Sequence, residues 1–332
     1  MKYCIGIDIG GTKCSVVSAD ISKITLNPQS DFLTKNVFET DVYDYMKMIR
    51  MFCERIDEIQ KSHDPAADEL VGIGISCGGP LDSKRGVIQC PPNLPGWDEV
   101  PIVDILKEKY HCPVILENDA NACGVAEWKF GAAKGCKNVV FLTFGTGLGA
   151  GLILNGKLYS GTNGMAGEVG HVRLSDYGPV GYGKAGSWEG FCSGGGIAQL
   201  AKMRLTEALQ QNRMPSWCPT AKGIESVTAK AVADAANNGD ALAKEIYKES
   251  GIALGKGLSI LIDILNPEKI VIGSIYQRAE QLLAPYMEEE IRRNALSLSA
   301  KVCQVVPAKL ENSIGDYAAI SLACLNSDFL VQ

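Results

Sequence analysis

Three consecutive polar residues, Glu117, Asn118 and Asp119, separate an apolar run from an Ala-rich segment with helical character. Asn and Asp are favoured at helix N-termini, where they bond the free N–H groups of the first turn, so capping is one interpretation. A cap needs one such residue, however, and this run supplies three. A helix N-terminus also favours the ionised form of a nearby acid, which can then accept a proton. We interpret Asp119 as a candidate general base.

Two glycine-rich bends have the composition of anion-binding turns. The first reads Gly-Gly-Thr-Lys at residues 10–13 and follows Asp8, and the second contains Thr146 and Gly147. Apolar, β-branched runs flank each bend and predict hairpins at residues 5–17 and 141–154. Closely spaced glycines let backbone N–H groups approach a bound anion. Either hairpin alone could be an ordinary turn, but the pair predicts nucleotide binding by two related half-molecules across a cleft.

Two better-known phosphate motifs also match the second bend. Gly145, Gly147 and Ala150 satisfy the relaxed G-x-G-x-x-G/A dinucleotide pattern, which requires a helix directly after the turn. A second short apolar run follows instead, so we expect a strand there. Residues 151–157 fit G-x-x-x-x-G-K, but Leu158 stands where a P-loop needs Ser or Thr. We therefore assign neither motif.

Other candidate polar groups lie in segments rich in Pro or Gly. Asn93 belongs to a Pro-rich stretch, and this segment alone favours a rigid connection with an incidental Asn. Glu168 and His171 share a glycine-dense loop, where a sugar- or metal-binding role and a structural role remain equal alternatives. Glu189 precedes another glycine turn at residues 194–196. These side chains are candidate ligands for a polar substrate.

Composition narrows the class of protein. The 332 residues suit two domains of ordinary size, and the net charge of −6 argues against a nucleic-acid-binding surface. The twelve cysteines include no C-x-x-C pair, and no signal peptide is recognised, so we expect reduced thiols in the cytoplasm. The longest apolar helical run, residues 251–265, contains Lys256 and Asp263 and is too short to cross a bilayer.

Hydrophobic periodicity supplies the elements that must position these groups. Apolar residues recur at helical spacing over 42–59, and further helices are predicted near 100–110, 197–211, 228–237, 241–265, 277–294 and 315–325. Strands are predicted at 70–76, 113–116 and 269–272, whereas the polar stretch from the first hairpin to residue 41 predicts no element. This pattern indicates an α/β fold, in which ligands bind beyond the carboxyl ends of the strands.

Taken in order, the motifs resemble those of the ROK family of repressors and sugar kinases, within the actin-like ATPase superfamily. The matching segments are DIGGTK from Asp8, NLPGW from Asn93, ENDAN from Glu117, the bend at 142–151, GEVGH from Gly167 and LNPEKIVIG from Leu265. The resemblance implies a two-domain actin-like ATPase (ribonuclease H-like) fold with a central cleft. By the same likeness, residues 1–118 with about 311–332 form a small sugar and phosphate domain, and 119–310 form a large nucleotide-binding and dimerisation domain.

The resemblance also implies an activity, the ATP-dependent phosphorylation of a hexose at its 6-hydroxyl. Asp119 matches the family's general base. Six residues would bind the sugar: Gly79, Asn93, Asn118, Glu168, His171 and Glu189. ATP would contact Asp8 near Mg²⁺, Gly10, Gly11, Thr12, Lys13, Thr146, Gly147, Gly195 and Gly273. We expect a homodimer with no nucleic-acid or membrane partner.

One departure from the family concerns zinc. Many ROK proteins carry a C-x-C-G-x-x-G-C-x-E zinc cluster, but here Val180, Tyr182 and Ser187 replace its three cysteines. Val and Ser are not competent zinc ligands, so we expect no structural zinc. We expect packing of Tyr182 and Trp188 to hold the loop instead.

Among the possible substrates, glucose is expected first, because the Gly-Gly-Pro turn at residues 78–80 resembles glucokinase-like members. An N-acetylhexosamine (N-acetylmannosamine or N-acetylglucosamine) remains an alternative substrate. A sugar-responsive regulator without kinase activity is an alternative from another class. It would need a DNA-binding segment ahead of Asp8, where seven residues stand, and the acidic balance does not favour it.

Overall fold

The computed structural model describes residues 1–325, which form strands and helices in alternation. The strands are β1 (Lys2–Ile9), β2 (Lys13–Asp20), β3 (Phe32–Glu39), β4 (Glu69–Cys77), β5 (Leu81–Asp82), β6 (Val87–Ile88), β7 (Val114–Asn118), β8 (Val139–Phe144), β9 (Leu148–Leu154), β10 (Lys157–Leu158), β11 (Val180–Gly181), β12 (Lys184–Ala185), β13 (Lys269–Ile272) and β14 (Gln304–Pro307). The helices are α1 (Pro28–Asp31), α2 (Tyr45–Lys61), α3 (Ile102–Tyr110), α4 (Asp119–Lys129), α5 (Trp188–Phe191), α6 (Gly194–Gln210), α7 (Ala221–Glu225), α8 (Ala229–Asn237), α9 (Ala241–Leu265), α10 (Ile275–Asn294), α11 (Ser297–Val302) and α12 (Ile314–Ala323).

The chain divides into two compact units. The first unit comprises Met1–Cys136, Gly151–Ala166 and Lys309–Gln332, and the second comprises Lys137–Ala150 and Gly167–Ala308. The first unit thus includes α4 and residues 151–166, which the division made from the sequence assigned to the large domain. The functional roles of the two domains stay a prediction.

A five-stranded sheet in the order β3-β2-β1-β4-β7 forms the centre of the first unit. Strands β1, β2 and β3 are antiparallel, while β1, β4 and β7 run parallel. The predicted hairpin at residues 5–17 is confirmed, with Ile9 paired to Cys14 on either side of the glycine bend. Because β1, β4 and β7 are parallel, their carboxyl ends meet at one edge of the sheet.

Side chains of β1 alternate between two different environments. Ile5, Ile7 and Ile9 join a core with Phe52 of α2 and Leu106 of α3. On the opposite face, Gly6 and Asp8 lie against α12, since a Cβ on Gly6 would stand 2.8 Å from the Ala319 Cβ. Gly74 of β4 permits the same close approach, because its Cβ would stand 2.0 Å from the Ala319 carbonyl oxygen. The backbone of α12 therefore packs directly onto the sheet.

A buried acid at the end of α4 fixes the segment that leads into α12. Glu127 has no exposed surface, and its Oε1 accepts the N–H groups of Lys309 and Leu310 at 2.8 Å each. Its Oε2 accepts the Ala132 N–H at 2.7 Å. These bonds satisfy a carboxylate that would otherwise be costly to bury.

The second unit is built around β8, β13 and β14, which run parallel. They belong to a sheet in the order β10-β9-β8-β13-β14, and β9 groups with the first unit from Gly151 onward. Helix α9 packs along α10, where a Cβ on Gly255 would stand 2.5 Å from the Met287 carbonyl oxygen. Across residues 1–325, no helix has the length and apolar character that spanning a bilayer requires.

Most of the predicted elements are present with boundaries shifted by a few residues, and a strand follows the second glycine bend, as expected. The polar stretch before residue 41, for which the sequence pattern is uninformative, contains α1 and β3. β3 alternates buried or half-buried with exposed positions, as an edge strand does. The hydrophobic pattern was hidden because the exposed Leu33 and Val37 are apolar, whereas Thr34 and Asn36 on the half-buried face are polar. The predicted helix at 315–325 corresponds to α12.

The close packing of α12 is testable at Gly74. We expect Gly74→Ala to destabilise the protein by about 2–3 kcal/mol, because the added methyl group meets helix backbone that cannot move aside. Urea unfolding would measure the change. Gly195→Ala is the control, since its Cβ would approach no atom closer than 3.9 Å. Equal stability of the two variants would contradict this packing argument.

Candidate active site

Two carboxylates of the first unit lie at the same edge of its sheet. Asp8 is near the carboxyl end of β1, and Asp119 directly follows β7 as the first residue of α4. Each lies beyond or near the end of a parallel strand, where open α/β sheets bind ligands. Burial and the charge of Asp316 raise the pKa of Asp8, and the charge of Asp119 adds to that rise.

Asp119 stands at the N-terminus of α4 with both predicted features, a cap and an acid. The Ala120 N–H donates to Asn118 Oδ1 at 2.9 Å and to Asp119 Oδ1 at 2.8 Å. Burial raises the pKa of Asp119, while the N–H groups of Ala120 and of Asp119 itself lower it. The helix N-terminus was expected to hold this acid ionised, but desolvation prevails. A base whose pKa lies nearer to neutrality accepts a proton more effectively.

The neighbouring acid, Glu117, has a different environment. Its side chain is buried, and its Oε1 accepts the Asn118 N–H at 2.8 Å, the Asn121 Nδ2 at 3.0 Å and the Ser83 hydroxyl at 3.1 Å. These three donors hold the start of α4 against β7. Glu117 therefore positions the helix, whereas Asp119 is exposed on one side.

Asp8 is surrounded by other acids. Burial, followed by the charges of Asp316 and Asp119, raises its pKa to about 6, although Ser76 and Lys35 act in the opposite direction. Asp316 of α12 is itself buried and accepts the Ser15 hydroxyl at 2.8 Å and the Lys35 Nζ at 2.5 Å. Asp316 was not among the site residues predicted from the sequence. A single acid within the apolar, Ala-rich end of the chain was the available signal.

The first glycine bend gathers several of the predicted residues. The Gly10 N–H bonds to the Lys13 carbonyl at 3.1 Å, and the Thr40 hydroxyl donates to the Gly10 carbonyl at 2.7 Å. Gly11 lies so close to Asn93 that an added Cβ would stand 2.8 Å from the Asn93 Cβ. The Pro-rich segment thus brings Asn93 to the bend, which the segment alone did not indicate.

Gly79 and Asn118 meet at the same edge of the sheet. A Cβ on Gly79 would stand 3.4 Å from Asn118 Nδ2, an ordinary contact distance. Gly151, just after the second bend, lies against the first turn of α4, with its Cβ position 2.5 Å from the Ala120 carbonyl oxygen. The predicted residues of the first unit are therefore close together, and their roles stay a prediction.

In the second unit, two long helices begin beside the bend between β8 and β9. The Gly145 N–H bonds to the Gly147 carbonyl at 3.0 Å, and the Gly194 N–H of α6 donates to the Gly145 carbonyl at 2.7 Å. A Cβ on Gly145 would stand 3.5 Å from Ser274 Oγ, at the start of α10. Thr146, Gly147, Gly195 and Gly273 are accordingly neighbours. Helix N-termini beside a glycine bend form a natural anion-binding site.

The three polar candidates of the second unit also converge. Glu168 and His171 are exposed at the two ends of a short 3₁₀ turn. Gly170 lies between them and faces Glu189. A Cβ built on this glycine would stand 3.1 Å from the Glu189 Cβ. Glu189 Oε2 accepts the Leu148 N–H at 3.0 Å, so this acid is bonded to the backbone that follows the second glycine bend. That bond was not predicted from the sequence.

The ROK family model matches residues 4–325. A glucokinase of Halalkalibacterium halodurans is 32% identical over 317 residues, covering 95% of this chain and 92% of that protein. The DNA-binding transcriptional dual regulator NagC of Escherichia coli is 28% identical, covering 99% of this chain and 77% of the regulator. A solved ROK family glucokinase from Streptomyces griseus, in complex with glucose and AMPPNP, is 28% identical with a TM-score of 0.71, covering 97% of this chain and 99% of that structure.

The paired glycine bends and the sheet edge with its acids place the protein in the α/β actin-like ATPase (ribonuclease H-like) class, which confirms the predicted fold. The chain belongs to the ROK family. Its relatives include both sugar kinases and transcriptional regulators.

The environment of Asp8 predicts a pH-dependent stability. A carboxyl whose pKa rises from 3.8 to about 6 on folding contributes stability below about pH 4 and loses it as the pH rises through about 6. We expect Asp8→Asn to match the parent protein near pH 4 and to exceed its free energy of unfolding by up to about 3 kcal/mol at pH 8. Chemical denaturation at a series of pH values in metal-free buffer measures this. A constant difference across the series would contradict it.

Proposed function

We propose that the protein is an ATP-dependent hexose kinase that phosphorylates the 6-hydroxyl of its sugar. The observation that carries this proposal is the placement of Asp119, an acid that keeps accessible surface although burial raises its pKa, beside Asp8 and Asn118 at the carboxyl edge of a parallel sheet. Phosphoryl transfer needs positioning and charge stabilisation more than covalent chemistry, and such a set of groups provides both.

In the proposed reaction, Asp119 accepts the proton of the sugar hydroxyl. The hydroxyl oxygen forms a bond to the γ-phosphorus of ATP as the bond from that phosphorus to the β–γ bridging oxygen breaks, and ADP leaves. Ala120, whose N–H bonds to both Asn118 and Asp119, holds the base in place. Glu117 supports Asp119 indirectly, because its carboxylate accepts hydrogen bonds from Asn118 and Asn121 at the start of α4.

Mg²⁺ is implied with ATP, and the residues at this edge fit it. The donors are hard carboxylate oxygens, and burial, together with the charges of Asp316 and Asp119, raises the pKa of Asp8 to about 6, so a cation would stabilise its ionised form. Mg²⁺ typically takes one or two carboxylates, with waters and phosphates completing its shell. Bound near Asp8, it would neutralise charge on the phosphates.

The remaining predicted residues divide by chemistry. Gly79, Asn93, Asn118, Glu168, His171 and Glu189 supply the donors and acceptors that a polyhydroxylated sugar requires. A buried polar group left unpaired costs about 1–3 kcal/mol, so such a set selects for matching hydroxyls. We assign the phosphates to Gly10, Gly11, Thr12, Lys13, Thr146 and Gly147, and the adenosine to Gly195 and Gly273.

Glucose is the first candidate substrate because the relatives named as glucokinases include one at 32% identity and a solved complex with glucose. N-acetylmannosamine and N-acetylglucosamine are the alternatives. A second candidate function, sugar-responsive regulation without catalysis, is favoured by the 28% identity to NagC. The homodimer remains a prediction.

A base variant tests the role of Asp119. We expect Asp119→Asn to lower kcat by about 10²–10⁴-fold, because the amide cannot accept the proton, and to leave sugar affinity within a few-fold. Steady-state kinetics by coupled ADP detection, with calorimetric sugar titration, measures both. Asp104→Asn, at an exposed position in α3, is the matched control. Turnover near normal in Asp119→Asn would reject the assignment.

A substrate panel separates the two candidate functions. Glucose, mannose, N-acetylglucosamine and N-acetylmannosamine are each assayed with ATP and Mg²⁺. We expect the highest kcat/KM with glucose, with the product identified as the 6-phosphate by NMR. If the protein binds one of these sugars but releases ADP with none of them, the result would instead support a regulator.

A further inference from the structure

The loop from Ser175 to Glu189 does not have the donors of the zinc site that its family commonly carries. Val180 offers no ligand atom, and Tyr182 is 83% exposed. Ser187 is fully buried, and its hydroxyl is engaged by the loop's own backbone. Zinc requires thiolate, imidazole or carboxylate ligands in a closed tetrahedral set. Within residues 1–325, no three His, Cys, Asp or Glu side chains gather closely enough to hold a metal ion.

Ser187 forms a hydrogen-bonding centre at the position of the third missing cysteine. Its Oγ accepts the N–H groups of Gly181 and Gly190, each at 3.2 Å, and donates to the Gly181 carbonyl at 3.4 Å. One hydroxyl thereby joins β11 to the first turn of α5. Only a glycine fits at 181, where a Cβ would stand 2.6 Å from the Gly190 nitrogen and 2.8 Å from the Glu189 Cβ.

Gln199 of α6 holds the same loop from outside. Its Oε1 accepts the Val180 N–H at 2.9 Å, and its Nε2 donates to the Val180 carbonyl at 2.8 Å. The backbone N–H and the backbone carbonyl of Val180, in a two-residue strand, are thus both bonded to the Gln199 side chain. This two-point bond fixes β11 on α6, at the position of the first missing cysteine.

His171 is tied to the same assembly through its backbone. Lys184 Nζ donates to the His171 carbonyl at 2.8 Å, and the Trp188 N–H donates to the Val172 carbonyl at 2.8 Å. Trp188 is buried against α9, where a Cβ on Gly257 would overlap its ring at 2.1 Å. Tyr182 touches the His171 ring edge-on, with centroids 6.3 Å apart. Packing of Trp188 therefore anchors the loop, whereas Tyr182 adds little buried surface.

We propose that Ser187 and Gln199 replace the structural metal: together they form a hydrogen-bonded clamp that positions Glu189 and His171 for the sugar. Ser187 caps the first turn of α5, which carries Glu189, and Gln199 fixes the strand packed against that turn. Both are positioning residues that act through Glu189. The sugar-binding part of this inference rests on the proposed kinase function, but the ordering of the loop does not.

Hydrogen–deuterium exchange of the unliganded protein tests the clamp without any activity. We expect Gln199→Ala to raise amide exchange at least about tenfold in peptides covering residues 178–192, with unchanged exchange in α9. Gln199→Glu keeps the acceptor for the Val180 N–H and loses the donor, so its exchange should fall between the two. Gln210→Ala, at an exposed position in the same helix, is the control. Unchanged exchange in Gln199→Ala would overturn the proposal.

Steady-state kinetics tests whether Ser187 and Gln199 position Glu189 for the sugar. We expect Gln199→Ala and Ser187→Ala to raise the sugar KM about tenfold or more, while KM for ATP changes less than about threefold, and Gln199→Glu to recover part of the loss. Equal increases for both substrates would overturn the positioning role. If the parent protein turns over none of the sugars, the kinase proposal fails while the exchange result still decides the clamp.

Metal analysis tests whether zinc, rather than the clamp, orders this loop. The protein is produced in zinc-supplemented medium, and its zinc content is measured by mass spectrometry before and after dialysis against 1,10-phenanthroline. We expect well under one zinc per chain and the same exchange in residues 178–192 before and after dialysis. About one zinc per chain, with faster loop exchange once it is removed, would overturn the proposal.

Discussion

The first unit depends on the direct contact of one helix backbone with a sheet. Gly6 and Gly74 remove the side chains that would keep α12 away from β1 and β4, and even one methyl group at Gly74 would overlap the helix backbone. Glu127 fixes the segment that enters α12 by accepting two of its N–H groups. Alternation along β1 and β4 supplies the other core, because the isoleucines that flank these glycines, Ile5, Ile7, Ile73 and Ile75, share a core with residues of α2 and α3.

This contact determines the electrostatics of the sheet edge. Gly315 lies so close to Asp8 that a Cβ there would stand 2.4 Å from the Asp8 Oδ2, and the next residue is Asp316. Close packing thus brings a buried acid next to another acid, and Lys35 and Ser15 compensate Asp316. The unliganded protein keeps an electrostatic strain at Asp8 that a cation or a proton relieves. Functional sites often retain such a local cost to stability.

The sequence predicted features that are local in the chain. Glycine spacing predicted the bend at residues 10–13, and the run from Glu117 to Asp119 predicted an acid at a helix N-terminus. The sequence could not show that Lys35 pairs with Asp316, because 281 positions separate them. It also could not show that desolvation outweighs the helix N-terminus at Asp119, since burial depends on packing from several elements. The family resemblance supplied candidate roles that local patterns alone left open.

The bond from Glu189 to the Leu148 N–H joins two candidate binding regions of the second unit. Glu189 belongs to the proposed sugar loop, whereas Leu148 directly follows the bend that includes Thr146 and Gly147. Under the proposed function, a sugar hydroxyl that engages this carboxylate would also perturb the Leu148 amide beside the second glycine bend. A group shared in this way would link the two proposed ligands thermodynamically, and linkage is reciprocal: any effect of the sugar on nucleotide affinity would be matched by an equal effect of the nucleotide on sugar affinity.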